Sequence, residues 1–598
     1  MPYARSFWDR YARSRISRRR ALQAAALGGG GLAVAAACGG GEEGEETPAP
    51  SVSPTATAGA EQPYLGGIIR SALNDPQSKF DAQRNPTFTV QTINSFSYSR
   101  LLKSIAGPDD PNTEEIDLAR EDWYRPVPDL AASFEVVDET TFVFTLQEGA
   151  AWHDVAPLNG RAVVPDDVVQ AWEYYKSARP DKGVNLQAVD TVTATGANQV
   201  QMKLKEAFGP FLIILSSPSD FWIYPPELIA NPDQLNSTMI GTGPFVLRSY
   251  QQGVGARWDK NPNWWEKDDQ GNRLPYVDGL DFPVIPDKNQ EISQFSAGRL
   301  ETMTVPAELI SSFRGQNPNA IISKNIANLL NFLFFPPAAY ENNEPPFNDP
   351  RVRQAVSLAL DREALIDLAS GGQGGVKHNL INAGFLWYLD PDSEEMGEAA
   401  KFFTRDIAEA KRLLEIAGYP DGFDTELHFT NNAYVTAVPY YNPIAEAIPP
   451  MLREAGINAR LVTHDYQSEW INPEAGIFYG NLRNGIAYAL ETPVNHPWIQ
   501  FNFEFSPGNQ RNHSRINDPE ILSLVQELAR ETDFDKGREL AWRIQRLNAE
   551  KMYYVPSVGP YGFGARQRYT RAWSAPTSFG IGSESTPRFQ INTAEQRL

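Results

Sequence analysis

The sequence predicts an α/β fold with more than one domain. At 598 residues, the chain is longer than a single hydrophobic core usually supports. Hydrophobic residues make up 41% and aromatic residues 11%, which are values typical of a folded globular protein. From Phe282 onward, segments with strand and helix patterns alternate along the chain, and this alternation is characteristic of α/β layers.

The charge distribution and the histidine spacing exclude several kinds of site. Residues 1–37 carry a net charge of +6, so the rest of the chain carries −27 of the total of −21. A surface this acidic repels phosphate backbones, which argues against nucleic-acid binding. The six histidines are scattered without the spacing of a metal site, so we expect no metal and no cofactor.

The start of the chain reads as an export signal. Ser17–Gln23 contains three consecutive arginines and resembles the twin-arginine motif. An uncharged apolar run follows up to Ala37, and the only cysteine, Cys38, stands at its end in a sequence that resembles a lipobox. We therefore predict a twin-arginine-type lipoprotein signal peptide over 1–37, with Cys38 as the lipidation site. The alternative is an ordinary signal peptide with an incidental cysteine.

Residues 38–62 are rich in Gly, Glu, Pro, Ser and Thr and contain few apolar side chains. Such a composition cannot bury enough apolar surface to offset the entropy lost on ordering. We predict a disordered tether here, followed by a folded region from about residue 63.

The first half of the folded region begins with a predicted strand over 65–70. Apolar residues alternate on either side of a turn at 138–141, which predicts a β-hairpin over 127–146. A helix should begin at Pro165, with two aspartates in its first turn. Residues 282–305 fit a strand–helix–strand unit.

The second half begins with a predicted strand over 329–335 that is apolar except at Asn331. Asp349 can then cap a helix that has Pro350 at its first position, and Asp361 can cap a second helix. Strands are predicted over 426–430 and 457–463. The helix predicted between them, 444–455, should be interrupted at Pro449 and Pro450, because proline lacks an N–H group.

The stretch Asn343–Ile366 contains Pro-Pro-Phe-x-Asp-x-Arg-Val-Arg-Gln-Ala-x-Ser-x-Ala-x-Asp-Arg-Glu. It resembles the signature of the peptide-type (family 5) extracellular solute-binding proteins of ABC transporters, which include oligopeptide-, dipeptide- and nickel-binding lipoproteins. Three more stretches, 127–172, 241–282 and 408–423, are similar to segments of the same family in the same order.

This resemblance implies a class II periplasmic-binding-protein fold, with two α/β lobes joined by a two-strand hinge and an extra subdomain. The implied boundaries are lobe I over 63–100, 236–328 and 557–598; the extra subdomain over 101–235; hinge crossings at 329–336 and 553–559; and lobe II over 337–552.

The resemblance also implies a function. The protein would be a monomeric, lipid-anchored receptor on the outer face of the cytoplasmic membrane, in the periplasm or cell envelope. It would bind oligopeptides between its lobes, deliver them to the permease subunits of an ABC importer, and catalyse no reaction. Two alternatives remain open: an oligosaccharide-binding member of the family, and a secreted glycoside hydrolase that uses a pair of carboxylates.

Five residues are the candidate ligand contacts that the resemblance implies. In peptide-binding relatives an aspartate pairs with the ligand's α-ammonium group; here that position falls on Ala489, and Glu491 is the nearest acid. Arg483 matches a basic position that faces the cleft, with a surface ion pair as the alternative. The aromatic candidates, for which a place in the buried core is the alternative, are Trp470, Tyr488 and Trp498.

Overall fold

A computed structural model describes the chain over these residues: 63–73, 79–85, 87–104, 107–108, 125–178, 183–326, 329–383, 385–430, 438–472, 474–491, 494, 496–571, 573–574 and 586–596. The predicted signal peptide and tether, including Cys38, lie outside these ranges.

Residues 63–326 supply the following strands: β1 (Ile68–Arg70), β2 (Leu102–Ser104), β3 (Gly107–Pro108), β4 (Pro126–Pro128), β5 (Ala131–Asp138), β6 (Thr141–Leu146), β7 (Val189–Gly196), β8 (Gln199–Leu204), β9 (Phe245–Gln251), β10 (Gly255–Lys260), β11 (Gly279–Pro283), β12 (Thr302–Val305) and β13 (Ile321–Ile326). The helices of this part are α1 (Phe88–Ser97), α2 (Pro165–Ala178), α3 (Phe211–Leu215), α4 (Pro226–Ile229), α5 (Lys288–Ser296) and α6 (Ile310–Gln316).

Residues 329–596 supply the following strands: β14 (Leu330–Phe334), β15 (Gly375–Lys377), β16 (Phe423–Thr430), β17 (Ile457–His464), β18 (Ile486–Glu491), β19 (Val555–Pro556), β20 (Val558–Arg566), β21 (Thr570–Arg571), β22 (Trp573–Ser574) and β23 (Gln590–Ile591). The helices of this part are α7 (Ala338–Glu341), α8 (Pro350–Ala359), α9 (Arg362–Ser370), α10 (Ile407–Ile416), α11 (Tyr441–Glu454), α12 (Pro497–Phe505), α13 (Pro519–Arg530) and α14 (Phe534–Lys551).

Two four-stranded sheets form in the first part of the chain. One has the order β1-β11-β10-β9, and the other, β5-β6-β8-β7, is antiparallel throughout. Strands β5 and β6 are the predicted hairpin, with Phe134 opposite Phe144. The strand–helix–strand unit predicted over 282–305 also forms, as β11, α5 and β12.

The second part of the chain is built on a five-stranded sheet with the order β17-β16-β18-β14-β19. Strands β17 and β18 lie on opposite sides of β16 and run parallel to it, whereas β14 is antiparallel to both β18 and β19. From the carboxyl end of β16 the chain passes through α11 to β17, on one side of β16. From the carboxyl end of β18, on the other side of β16, the chain continues in the opposite direction, toward β19. The carboxyl edge between β16 and β18 is therefore a topological switch point of this sheet.

Two strand connections link the five-stranded sheet to a neighbouring sheet. Strand β20 is the centre of that neighbour and pairs with β12, β13 and β15. The chain enters the five-stranded sheet at β14, which follows β13, and leaves it at β19, which precedes β20. These are the two segments predicted as hinge crossings.

The opening of the signature stretch forms a capped helix, as predicted. The Asp349 carboxylate accepts a hydrogen bond from the Arg351 backbone N–H, and Pro350 is the first residue of α8. The guanidinium group of Arg353 is buried and donates to the carbonyls of Lys551 and Met552. This arginine therefore fastens the end of α14 to α8.

Arg362, at the start of α9, holds the return strand in the same way. Asp361 caps this helix by accepting from the Ala364 N–H, as predicted. The buried Arg362 guanidinium donates to the Pro556 carbonyl in β19, to the Ser357 carbonyl and to the Phe403 carbonyl. The signature residues thus bind backbone at the point where the chain leaves the sheet.

The predicted interruption of the helix at Pro449 and Pro450 is wrong. Helix α11 runs from Tyr441 to Glu454 with both prolines inside it. Its buried face includes Ile444 and Ile448 and packs into the core of the five-stranded sheet. Burial of this face outweighs the roughly 3 kcal/mol that a proline costs within a helix.

The predicted α/β class is confirmed by these alternating strands and helices. Contacts group Leu65–Leu598 into one compact unit. The proposed boundaries of the lobes and subdomain stay predictions. Within the range predicted for lobe II, β15 pairs with β20 of the neighbouring sheet.

Candidate functional site

The carboxyl edge of the five-stranded sheet is the candidate site. In open α/β sheets, ligands bind outside the carboxyl ends of the strands at a topological switch point. Here that edge carries the ends of β16 and β18, and Glu491 is the last residue of β18. Leu330, the first residue of β14, lies directly opposite Glu491.

A narrow cavity opens at this edge, where the five-stranded sheet meets the segment that follows β15. Its lining is mainly apolar and aromatic, with two amide side chains: Leu330, Leu380, Ile381, Asn382, Phe385, Trp387, Val494, Pro497 and Gln500. Such walls are typical of small-ligand sites, but the volume here is about 10 Å³, which is room for about one water molecule. Small-ligand pockets measure roughly 300–1,000 Å³.

Buried ionisable groups lie beside the cavity in what we call the acid corner: Glu491, Glu504, Arg511 and His513. The Arg511 guanidinium forms an ion pair with the Glu491 carboxylate. Only 2% of the Glu491 side chain is exposed, compared with 17% for Arg511, so the arginine covers the acid. The guanidinium also stacks over the rings of Phe503 and Phe478, at 4.7 and 5.5 Å from their centroids.

Burial favours the neutral form of the second acid of the corner. Glu504 is fully buried in α12, and burial raises the pKa of its carboxyl well above the usual value. One carboxyl oxygen accepts a 2.7 Å hydrogen bond from the Gln500 amide, one helical turn earlier. Because Gln500 also lines the cavity, it connects the cavity wall to the acid corner.

His513 is also uncharged. Burial lowers its pKa to about 3. Its Nδ1 lies 2.5 Å from the Phe478 carbonyl oxygen, which can only accept, so Nδ1 carries the proton. Its bare Nε2 lies 3.8 Å from Glu491.

Trp498 lies in the first turn of α12, next to Pro497 in the cavity wall. Its indole packs edge-on against Phe208, with ring centroids 4.7 Å apart. His496 caps this helix by accepting from the Trp498 N–H. Trp498 is thus near the cavity, and it contacts a segment from the first part of the chain.

Tyr488 lies in the middle of β18 and is fully buried. Its ring stacks on Tyr441 at 4.9 Å, and its backbone carbonyl accepts from the Tyr441 hydroxyl. The Tyr488 hydroxyl is near Ser557, but without the geometry of a hydrogen bond. Tyr488 belongs to the core that supports the sheet edge.

Trp470 ends a π-helical turn, Tyr466–Trp470, and is fully buried. Its ring lies 6.3 Å from that of His464, the last residue of β17. The rings of His464 and His428, which lies in β16, share a 2.9 Å hydrogen bond, and either ring nitrogen can be its donor. Trp470 therefore covers the sheet beside β17, two strands away from Glu491.

Arg483 lies in the exposed loop that precedes β18, at the opposite end of that strand from Glu491. The surface ion pair considered as its alternative does not form: within the described part of the chain, Arg483 makes no ion pair or hydrogen bond. Glu491 and Trp498 thus lie next to cavity-lining residues without lining the cavity themselves, and Tyr488, Trp470 and Arg483 lie apart from it. Their roles as ligand contacts all remain predictions.

Arg511 and Gln500 were missed by reasoning from the sequence. Arg511 lies in a loop after α12 without a local motif, and only the fold brings it to Glu491. For Gln500 the sequence holds a weak signal of a shared helix face. The helix begins at Pro497, and Gln500 and Glu504 follow at helical spacing.

The described residues contain neither a membrane-spanning helix nor a metal-binding cluster. None of their helices is both long enough and apolar enough to cross a membrane. In the same ranges, no three His, Cys, Asp or Glu side chains converge as a metal site would require.

Comparisons with known proteins agree on one family. Residues 125–486 match the family model "Bacterial extracellular solute-binding proteins, family 5 Middle". The dipeptide-binding protein DppE of Bacillus subtilis (strain 168) is 23% identical over 457 residues, which is 72% of this chain and 78% of DppE. Di/tripeptide-binding protein 1 of Pseudomonas aeruginosa is 25% identical over 72% of this chain and 80% of its own length.

A solved structure extends the match to the fold. The ABC transporter-associated periplasmic binding protein DppA of Helicobacter pylori, in complex with the peptide STSA, superimposes with a TM-score of 0.67 at 19% identity. The match covers 89% of this chain and 99% of that protein.

These matches confirm the predicted periplasmic-binding-protein fold, and the family is one of solute-binding proteins rather than enzymes, so the hydrolase alternative is wrong. The family model spans more than half of the chain, so the chain belongs to the family 5 bacterial extracellular solute-binding proteins.

Proposed function

We propose that this solute-binding protein is the receptor of an ABC importer and that its solutes are oligopeptides. The observation that carries the proposal is the family match over 125–486, together with relatives named for dipeptide and di/tripeptide binding.

The proposed mechanism is closure of two lobes about the β14 and β19–β20 connections. Both connections are short and run between sheets, which suits them to act as hinge strands. A solute that contacts both lobes binds the closed form more tightly, so binding shifts the equilibrium toward closure. The closed monomer then docks on the permease subunits.

Mass spectrometry of material retained through purification tests the proposed solute. The expected result is a set of short peptides released when the protein is denatured. Release of a glycan instead would support the oligosaccharide alternative, which the aromatic walls at Phe385 and Trp387 also suit. Added peptides should raise the unfolding temperature without being hydrolysed.

The second part of the proposal is that a lipid attached to Cys38 anchors the protein, and this can be tested. Acyl chains contribute about 0.8 kcal/mol per buried CH₂, so a diacylated cysteine would hold the protein at the outer face of the cytoplasmic membrane. Cys38→Ala should therefore move the protein from the membrane fraction to the soluble fraction, as measured by immunoblotting.

The matched control keeps Cys38 and replaces Arg18 and Arg19 with lysine. If the signal is of the twin-arginine type, this variant should stay inside the cell with its signal uncleaved. Membrane retention of the Cys38→Ala variant after alkaline washing would contradict lipidation.

A further inference from the structure

We propose that residues 206–209, which follow β8, are a latch that holds the two parts of the chain closed on each other before any solute binds. We call these residues the latch segment. The surface that receives them is formed by the first turn of α12 and the end of α13. That closure traps a solute rests on the proposed function, whereas the contact rests on the geometry.

The latch segment is fixed to the first part of the chain. It begins directly after Lys205, whose backbone N–H donates to the Ala188 carbonyl, beside β7, at 2.8 Å. Just beyond it, Phe211 in α3 packs against Phe142 of β6, with ring centroids 4.6 Å apart. The segment therefore moves with the sheet β5-β6-β8-β7.

The receiving surface is fixed to the second part of the chain. Asp518 caps α13, and its carboxylate pairs at 2.6 Å with Lys551 at the end of α14. The buried Arg353 guanidinium holds that end of α14 to α8. For α12, the Tyr554 hydroxyl, next to β19, donates to the Glu504 carbonyl at 3.1 Å. Helices α12 and α13 therefore move with the five-stranded sheet.

The backbone contact of the latch requires glycine at position 209. The Gly209 N–H donates to the Ala529 carbonyl at 2.9 Å. This carbonyl is one of the last four of α13, which lack a partner within the helix. A Cβ atom at Gly209 would lie 1.9 Å from the Glu531 carbonyl oxygen, so the backbones meet this closely only at a glycine. Water can satisfy both groups when they separate, so the bond can form and break.

Two side-chain contacts accompany this bond. The Phe208 ring meets Trp498 edge-on, with centroids 4.7 Å apart, and both rings are buried. The Glu206 carboxylate lies 3.3 Å from the Arg530 guanidinium, and both side chains are about two-thirds exposed. A single ring pair, one backbone hydrogen bond and one exposed ion pair form a small contact. Domains joined by a small contact move relative to each other, so this one suits a latch that opens.

A latch of this kind changes the affinity for a solute without touching the solute. Because it populates the closed form beforehand, less of the binding free energy is needed for closure. Opening the latch should therefore weaken the apparent affinity by up to the factor by which the ratio of closed to open molecules falls.

The test reverses the exposed ion pair, because substitutions at exposed positions leave the fold intact. In Glu206→Arg, two guanidinium groups face each other, and the ratio of closed to open molecules should fall about two- to five-fold. Adding Arg530→Glu restores opposite charges in exchanged positions and should restore the ratio. Glu148→Arg makes the same change of charge at an exposed position in the loop after β6, and should match the wild type.

The ratio is measured by double electron–electron resonance on the full chain carrying Cys38→Ala. Spin labels are attached at Val164→Cys, just before α2, and at Ile416→Cys, at the end of α10; both positions are exposed. Without added peptide, the reference protein should show mainly the distance of the closed structure. Glu206→Arg should gain a longer distance.

A random library of tri- to hexapeptides then separates the latch from the proposed function. The library should return Glu206→Arg to the short distance and bind it about two- to five-fold more weakly than the reference. An unchanged distance distribution in Glu206→Arg, a mainly open reference protein, or a double variant that stays open would overturn the latch, whatever the peptides do. Opening of Glu206→Arg that no peptide reverses would support the latch and contradict oligopeptides as the solute.

Discussion

At the scale of single residues, the family signature is explained by two buried arginines. Among the residues that the structure describes, neither Arg353 nor Arg362 forms an ion pair with a carboxylate; each donates to backbone carbonyls of the segment that returns from the sheet. Burial lowers the pKa of Arg362 to about 9. A guanidinium group can satisfy several carbonyls at once because its donors form a rigid planar fork. We therefore interpret both arginines as structural residues rather than ligand contacts.

Arg362→Lys should destabilise the protein, because an ammonium group cannot reach the Pro556, Ser357 and Phe403 carbonyls together. Each carbonyl left buried without a partner costs about 1–3 kcal/mol, so a loss of roughly 2–4 kcal/mol in the free energy of unfolding is expected. Urea denaturation measures it. Arg351→Lys, at a partly exposed position on the same helix pair, is the control and should match the wild type.

Local patterns predicted much of the fold but little of the site. The caps Asp349 and Asp361 and the hairpin at 131–146 follow from spacing over a few residues, which is why the sequence alone predicts them. The Glu491–Arg511 pair joins residues in two different elements and has no such local signal. Helix α11 shows the converse. Its two prolines disfavour a helix locally, but burial of its apolar face in the core stabilises the helix.

At the scale of elements, a segment after β8 contacts helices from the second part of the chain. The Gly209 N–H donates to the Ala529 carbonyl at 2.9 Å, and Glu206 pairs with Arg530 at 3.3 Å. Phe208 packs against Trp498. This contact reaches the first turn of α12, which also lines the cavity, so it links the segment after β8 to the candidate site.

Gly209→Ala should break this contact. A Cβ atom at Gly209 would lie 1.9 Å from the Glu531 carbonyl oxygen, so the backbones must separate. Hydrogen exchange at residue 209 should accelerate, and Trp498 fluorescence should change as Phe208 withdraws. Gly315→Ala is the matched control, since a Cβ there meets nothing within 4 Å. Unchanged exchange at residue 209 would show that the contact does not constrain this segment.

At the scale of the whole molecule, the histidines share one property. For every histidine of the chain, burial lowers the pKa: His153, His378, His428, His464, His496 and His513. His153 shows how one is held neutral. Its Nδ1 accepts from the Gly241 N–H, so its Nε2 carries the proton and donates to the Gly243 carbonyl. Protonation of Nδ1 would break the hydrogen bond that it accepts from the Gly241 N–H.

The stability of the protein should therefore fall as the pH drops below about 6.5. Unfolded histidine titrates near 6.5, whereas folded His153 titrates near 4, so the unfolded state binds more protons between these values. From pH 7.5 to 5.5, each such histidine should remove about 1.4 kcal/mol of stability. Glu504 and Asp129 oppose the trend, because burial raises their pKa and the folded state takes up protons there. Because the histidines outnumber the opposing acids, the net loss of stability between the two pH values should reach several kcal/mol, as measured by urea denaturation.

In His153→Gln, which cannot titrate, the loss should be smaller by about 1.4 kcal/mol. Equal stability of the wild type at both pH values would contradict the buried, neutral state of these histidines.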